Sequence, residues 1–187
     1  MPCQVGREVL MNNHVPVRTL TATGLLLAAG LLLPFVFHSL LGPSGGRMLL
    51  PMHYGVLIGG LLLGPIAGAF LGIATPLLSA VLTGMPAAPV LPPMVIELAV
   101  YGLVAGLVRR RLRASVLWSL LLAMVAGRVA LGLAVAVLGP AIGLDAPPVA
   151  YVVAGVTAGL PGIAAQLVLI PLLLARGRLE HFVEGPG

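Results

Sequence analysis

Six apolar runs, separated by short breaks, organise this chain. They extend from Leu20 to Phe37, Met48 to Leu63, Ile66 to Leu82, Met94 to Val108, Ser115 to Leu138 and Val149 to Ala175. None alternates apolar with polar residues, which a membrane β-barrel requires. Open strands leave backbone groups unsatisfied in lipid, so runs of this kind predict helices. The breaks carry turn residues. "HSLLGPSGGR" predicts a loop over 38–47, and Gly64–Pro65 predicts a tight break. "TGMPAAPVLPP" holds four prolines, and "GPAIGLDAPP" leads into the last run. Pro161 and Pro171 predict a kinked sixth helix. The expected fold is an all-α integral membrane protein, a compact bundle of six transmembrane helices. Residues 1–19 form an N-terminal segment, 20–176 the membrane domain and 177–187 a C-terminal tail.

Composition removes the soluble alternative. Of the 187 residues, 59% are hydrophobic and 8% charged, and mean hydropathy is +1.14. Soluble domains carry about 25% charged residues. Spans need roughly 20 residues each, so little is left for a second domain. The net charge of +5 rests on ten arginines and no lysine. In a membrane chain that reads as a topology signal and not as nucleic-acid binding. Arg7 and Arg18 precede helix 1, Arg109, Arg110, Arg111 and Arg113 follow helix 4, and Arg176 and Arg178 follow helix 6. Six spans place all three groups on one side, so both termini are expected in the cytoplasm. The single Cys3 permits no internal disulfide. The N-terminal segment lacks the short apolar core of a cleaved signal peptide.

Small residues recur at four-residue spacing: Gly60, Gly64, Gly68 and Gly72, then Gly102 and Gly106, then Gly155 and Gly159. Such spacing lets helix backbones approach closely. It predicts a compact bundle and leaves the bundle's task open.

The few polar groups inside the runs are informative. An ionisable side chain costs about 3 kcal/mol at the centre of a span, so it faces the protein interior or a watery cavity. The candidates are Glu97 in helix 4, Arg128 in helix 5, His53 near the start of helix 2 and Gln166 in helix 6. Tyr101 shares the Glu97 face, four residues on. Arg47 lies in the first outer loop, with His38, and Asp145 lies in the last. Glu97 sits about one turn into its helix and Arg128 roughly 15 Å from the outer end of its own, at about 1.5 Å per residue. These depths converge on the outer half of the bundle. Two readings stay open and are compatible. Glu97 and Arg128 form a register-fixing ion pair, or they form the wall of an outward-facing ligand site. Catalytic and nucleotide motifs are missing from the sequence, and the four histidines are scattered. No enzyme activity, cofactor or metal is expected.

The stretch "LLPMHYGVLIGGLLLGPIAGAFLGIATPLLSAVLTG", followed by "MVIELAVYGLVAGLVRRR", resembles the substrate-binding S-components of energy-coupling factor (ECF) vitamin transporters. The likeness covers roughly residues 20 to 176. It implies capture of a vitamin or related micronutrient from outside the cell. It also implies two kinds of partner, a transmembrane coupling protein and a pair of ATPases. Members dock through helix 1, where two alanines stand four residues apart. Gly24 and Ala28 are the nearest match here. The resemblance places ligand contacts in the outer half, which suits Arg47, His53, Glu97, Tyr101, Arg128 and Gln166. Aromatic content is 4%, with one tryptophan, Trp118. That disfavours a site built on stacking a large planar ring. Arg47, Arg128 and His53 suit a small, partly anionic ligand such as pantothenate. The nickel and cobalt members use an N-terminal Met-His, and residue 2 here is Pro2, so a metal ligand is disfavoured. Two other functions fit the composition: a proton-coupled secondary transporter with Glu97 as the coupling residue, and a small integral-membrane enzyme.

Overall fold

The computed structural model describes residues 17–175, of which the side chains at 38, 41 and 43–47 lie outside the described set. Arg7, Arg176 and Arg178 therefore lie outside the described residues, as do most of the two expected terminal segments. Among the described residues the regular structure is helical. It comprises α1 (Val17–Leu49), α2 (Pro51–Leu63), α3 (Pro65–Thr83), α4 (Leu91–Arg111), α5 (Val116–Leu138) and α6 (Pro148–Ala175). One tight helical turn, Gly139–Ile142, extends α5.

Five helical stretches are long and apolar enough to cross a membrane; α2 is not among them. At 13 residues it is about 20 Å long, against a hydrocarbon core near 30 Å. Its ends are set by sequence. Pro51 fits the first helical turn, and the residue before a proline is pushed out of the right-handed helical region. Leu50 leaves that region for a left-handed conformation, with φ 49°, and not for the extended one that more commonly precedes proline. At the other end Gly64 takes φ 98°, open to glycine, and Pro65 starts α3. The second run was expected from Met48; the Leu50–Pro51 corner moves its start to Pro51.

The loop expected over 38–47 is instead part of α1, which continues to Leu49 across a break at Gly42 (φ 69°, ψ −173°). The glycine takes the whole departure from helical geometry, so the neighbouring Gly and Ser residues need not unwind. The proline-rich loop is also shorter than expected, because Pro92 and Pro93 enter the first turn of α4. Helix α6 runs helical through both Pro161 and Pro171.

The packing is a ring around a short centre. Contacts run α1–α3–α4–α5–α6 and back to α1, and α2 touches all five. Helix α2, apart from His53 and Tyr54 in its first turn, is apolar all round and buried along nearly its whole length, which suits a core position. Val56 and Leu57 of α2 pack with Leu71, Leu98, Tyr101, Leu120 and Ile170 from the surrounding helices.

The tightest seam joins α2, α3 and α4. A methyl on Gly102 would overlap the Gly68 backbone, one on Gly60 the Gly102 carbonyl, and one on Gly72 the Leu98 carbonyl. A methyl on Gly106 would meet the Gly64–Pro65 link. These glycines let backbones touch directly, as their spacing predicts. The arginine cluster has a local part in the same seam. Arg110 donates from Nη2 to the Leu62 carbonyl at 3.4 Å and lies over Gly64. A cation there meets the carbonyl end of α2, where the helix dipole favours it. Arg109 donates to the Ala114 carbonyl at 3.0 Å and so closes the turn into α5.

Candidate functional site

Helices α4 and α5 meet through two charged side chains. Arg128 Nη1 lies 3.0 Å from Glu97 Oε1, with the two side chains 14% and 6% exposed. Tyr101, one turn along α4 from Glu97, donates its hydroxyl to the same Oε1 at 3.0 Å. Two donors on one oxygen suit an ionised carboxylate. The helix positions follow from spacing, since residues four apart share a face. On α5, Gly127 makes room for the Tyr101 ring, which a methyl at that position would overlap. The ring is thereby wedged between its own helix and α5.

His53, in the first turn of α2, completes the cluster from the core side. Its ring centroid is 5.2 Å from that of Tyr101, tilted by 57°. The residue is only 4% exposed. Neither ring nitrogen makes a well-formed hydrogen bond with a described residue, although the Leu50 carbonyl acts on the ring as an acceptor. Arg128 Nη2 is likewise buried without a hydrogen-bond partner among the described residues. Unpartnered buried polar atoms are costly and rare in a settled core.

Next to the ion pair an open groove of about 660 Å³ follows the seam between α5 and α6, and many of the side chains along it, Val125, Val129, Leu133 and Val149 among them, are exposed on the surface of the bundle. Tyr101 and Arg128 lie at its polar end, and its walls are otherwise almost wholly aliphatic. Across the cleft Gly155 of α6 faces the arginine, its missing methyl 3.3 Å from Nη1. The cleft, and Gly155 beside Arg128, are features the sequence reading missed. The Gly155–Gly159 spacing read as helix packing, yet Gly155 gives space to a guanidinium and Gly159 to the Leu50 side chain.

The structure thus brings together His53, Glu97, Tyr101 and Arg128. It uses Gln166 differently. That side chain is buried and donates from Nε2 to the Leu50 carbonyl at 3.4 Å, tying α6 to the corner between α1 and α2. Gly162 supports the same corner, with Met48 and Leu49 backbone where its methyl would be. The side chain of Arg47 lies outside the described set. Gly24 and Ala28 lie on an exposed face of α1, and nothing stands within 4 Å of where a methyl on Gly24 would be. Among the described residues no group of three metal-ligating side chains occurs.

The family model for the ECF transporter substrate-specific component matches residues 18–174. No curated protein and no solved structure gives a match.

Proposed function

The chain belongs to the substrate-specific components of ECF transporters, multi-pass proteins of the cell membrane, and from that premise we propose how this member works. It is a substrate-binding transport subunit. In our reading it captures a vitamin-like micronutrient on the outer side of the membrane. It then delivers the ligand inward together with a coupling membrane protein and two ATPases. The observation that carries this reading is the buried Glu97–Arg128–Tyr101 cluster, whose Arg128 and Tyr101 also line the polar end of an open cleft.

The residues divide by task. Arg128 presents a donor to the ligand, and Glu97 and Tyr101 hold its guanidinium in place. His53 backs Tyr101 from the core. Gln166 acts indirectly, by fixing the α1–α2 corner against α6. Arg47, whose side chain lies outside the described set, remains a candidate ligand contact. The exposed stripe of Leu20, Gly24, Ala28 and Leu32, at i, i+4 spacing on α1, supports docking of the coupling protein there. The arginine distribution supports cytoplasmic termini; cysteines at Arg110 and Ala88 should then be labelled from opposite sides. The direct test of function is mass spectrometry of the small molecule that co-purifies with the detergent-solubilised chain. A single compound retained by the wild type and lost from Arg128→Met is the expected result. A compound retained equally by both would move the site elsewhere.

A further inference from the structure

The fold uses only half of the arginine cluster between α4 and α5. Arg109 closes the turn and Arg110 caps α2. Arg111 and Arg113 do neither. Both are exposed, and no hydrogen bond or ion pair joins them to a described residue. The backbone sharpens the contrast. Helix α4 ends at Arg111, and two residues on Arg113 takes φ 50°, in the left-handed region. Past the end of a helix that conformation usually belongs to glycine, because a Cβ is penalised there. Here it is held by an arginine whose guanidinium the fold does not engage. A topology signal needs only positive charge near the turn, so it gives no reason for an arginine at a strained position. Strain kept for an unused side chain points to a partner outside the chain.

The surroundings say which partner. Helix α4 has 21 residues, about 32 Å, enough to span a hydrocarbon core near 30 Å. Arg111 and the turn after it therefore reach the headgroup layer. Leu112, between the two arginines, is 68% exposed, and Trp118, in the first turn of α5, is 62% exposed. Tryptophan is favoured at that level, with its ring between lipid and water. No carboxylate offsets the two cations. Among the described residues the acids are Glu97, paired with Arg128, and Asp145, beyond the far end of α5. Guanidinium groups match phosphate oxygens in charge and in paired geometry. We propose that Arg111 and Arg113 form a headgroup site for an anionic phospholipid. The two guanidinium groups take its phosphodiester, and Leu112 and Trp118 lie against its acyl chains. The lipid holds the α4–α5 turn at the membrane surface, apart from the ligand site at the α5–α6 seam.

Thermal unfolding of the purified full chain in a neutral detergent tests it, with phosphatidylglycerol and phosphatidylcholine of identical acyl chains as probes. Phosphatidylglycerol should stabilise the wild type at concentrations at least about tenfold below those that phosphatidylcholine needs. Arg111→Gln combined with Arg113→Gln should remove that preference. Arg18→Gln, which takes one cation from the start of α1, should keep it. Arg113→Gly relieves the left-handed strain. In detergent alone it should unfold at or above the wild-type temperature, and yet lose most of the preference. It also serves where the double variant fails to fold. Unfolding of Arg113→Gly well below the wild type would show that the fold uses the side chain, and overturns the proposal. Equal stabilisation by both lipids marks contact with acyl chains only and overturns it. A preference that falls equally in Arg18→Gln reflects net charge, and one that survives the double variant lies elsewhere; either overturns the site. Stabilisation by glycerol phosphate at the same concentrations as phosphatidylglycerol assigns the arginines to a soluble anion and overturns the lipid. No response to phosphatidylglycerol overturns the proposal, and weaker binding of the coupling protein by the double variant would then give the turn to a protein partner.

Discussion

The two sides of α4 and α5 pack in opposite ways. On one side α2, α3 and α4 meet backbone to backbone, with Gly60, Gly68, Gly72, Gly102 and Gly106 removing every side chain that would hold them apart. On the other, α5 and α6 stand off across a cleft of about 660 Å³ lined by valines. Glycines occur on both sides, so composition alone does not distinguish them. What differs is the partner. The glycines of α2 to α4 face the backbone of a neighbouring helix, and Gly155 faces a guanidinium. Close backbone contact makes the first region a rigid frame, since dispersion attraction grows with contact and a well-packed seam has no room to yield. The second region holds Arg128, paired with Glu97, at the polar end of the cleft. On the proposed reading, the first region is the frame that fixes Glu97 and Tyr101 and the second is the side that admits the ligand.

Substitutions should separate the two regions. The largest effect is expected at Gly102. Even a methyl overlaps the Gly68 backbone, so Gly102→Leu must push α3 and α4 apart. The cost should exceed the roughly 1–3 kcal/mol of ordinary overpacking, read as loss of folded protein in detergent gel filtration. Next comes Arg128→Met, which strands the Glu97 carboxylate. Breaking a buried pair typically costs about 3–5 kcal/mol, and thermal unfolding should show a marked loss that Glu97→Gln in the same chain restores. A smaller effect is expected at Gly155. Its methyl would sit 3.3 Å from Arg128 Nη1, so Gly155→Ala should displace the guanidinium slightly. Stability should fall by less than about 1 kcal/mol while ligand affinity drops, which titration measures. The smallest stability effect is expected at Gly24, where nothing lies within 4 Å of an added methyl. Gly24→Leu should leave unfolding of the isolated chain within about 0.5 kcal/mol of wild type and yet impair uptake in cells. A large stability loss there would assign that face of α1 to the fold.

Much of the frame was legible in the sequence because it rests on local rules. Hydropathy located six helices, four-residue glycine spacing located the α2–α4 seam, and the rarity of charge inside the runs paired Glu97 with Arg128. The departures have physical causes that a run of apolar residues does not display. Helix α2 is only 13 residues long because the Leu50–Pro51 and Gly64–Pro65 corners bound it. The 38–47 stretch stays helical because Gly42 alone absorbs the bend. Gln166 read as a ligand contact, and the structure adds a tie that spacing did not show, to a carbonyl 116 positions away in sequence. Arg110 read as a topology signal, and it also closes the end of α2 through the Leu62 carbonyl. The cleft was invisible for the same reason: valines that line a gap and valines that fill a core have the same pattern.

The central claim is that Glu97 and Arg128 shape a ligand site and do more than fix helix register. Calorimetric titration decides it, with the co-purified ligand run against wild type, Glu97→Gln, Arg128→Met and the double variant. The double variant leaves no stranded charge, so its stability should return toward wild type. Its affinity should not return, because the Arg128 donor is gone. Wild-type affinity in the double variant would contradict the account and reduce the pair to a structural tie between α4 and α5.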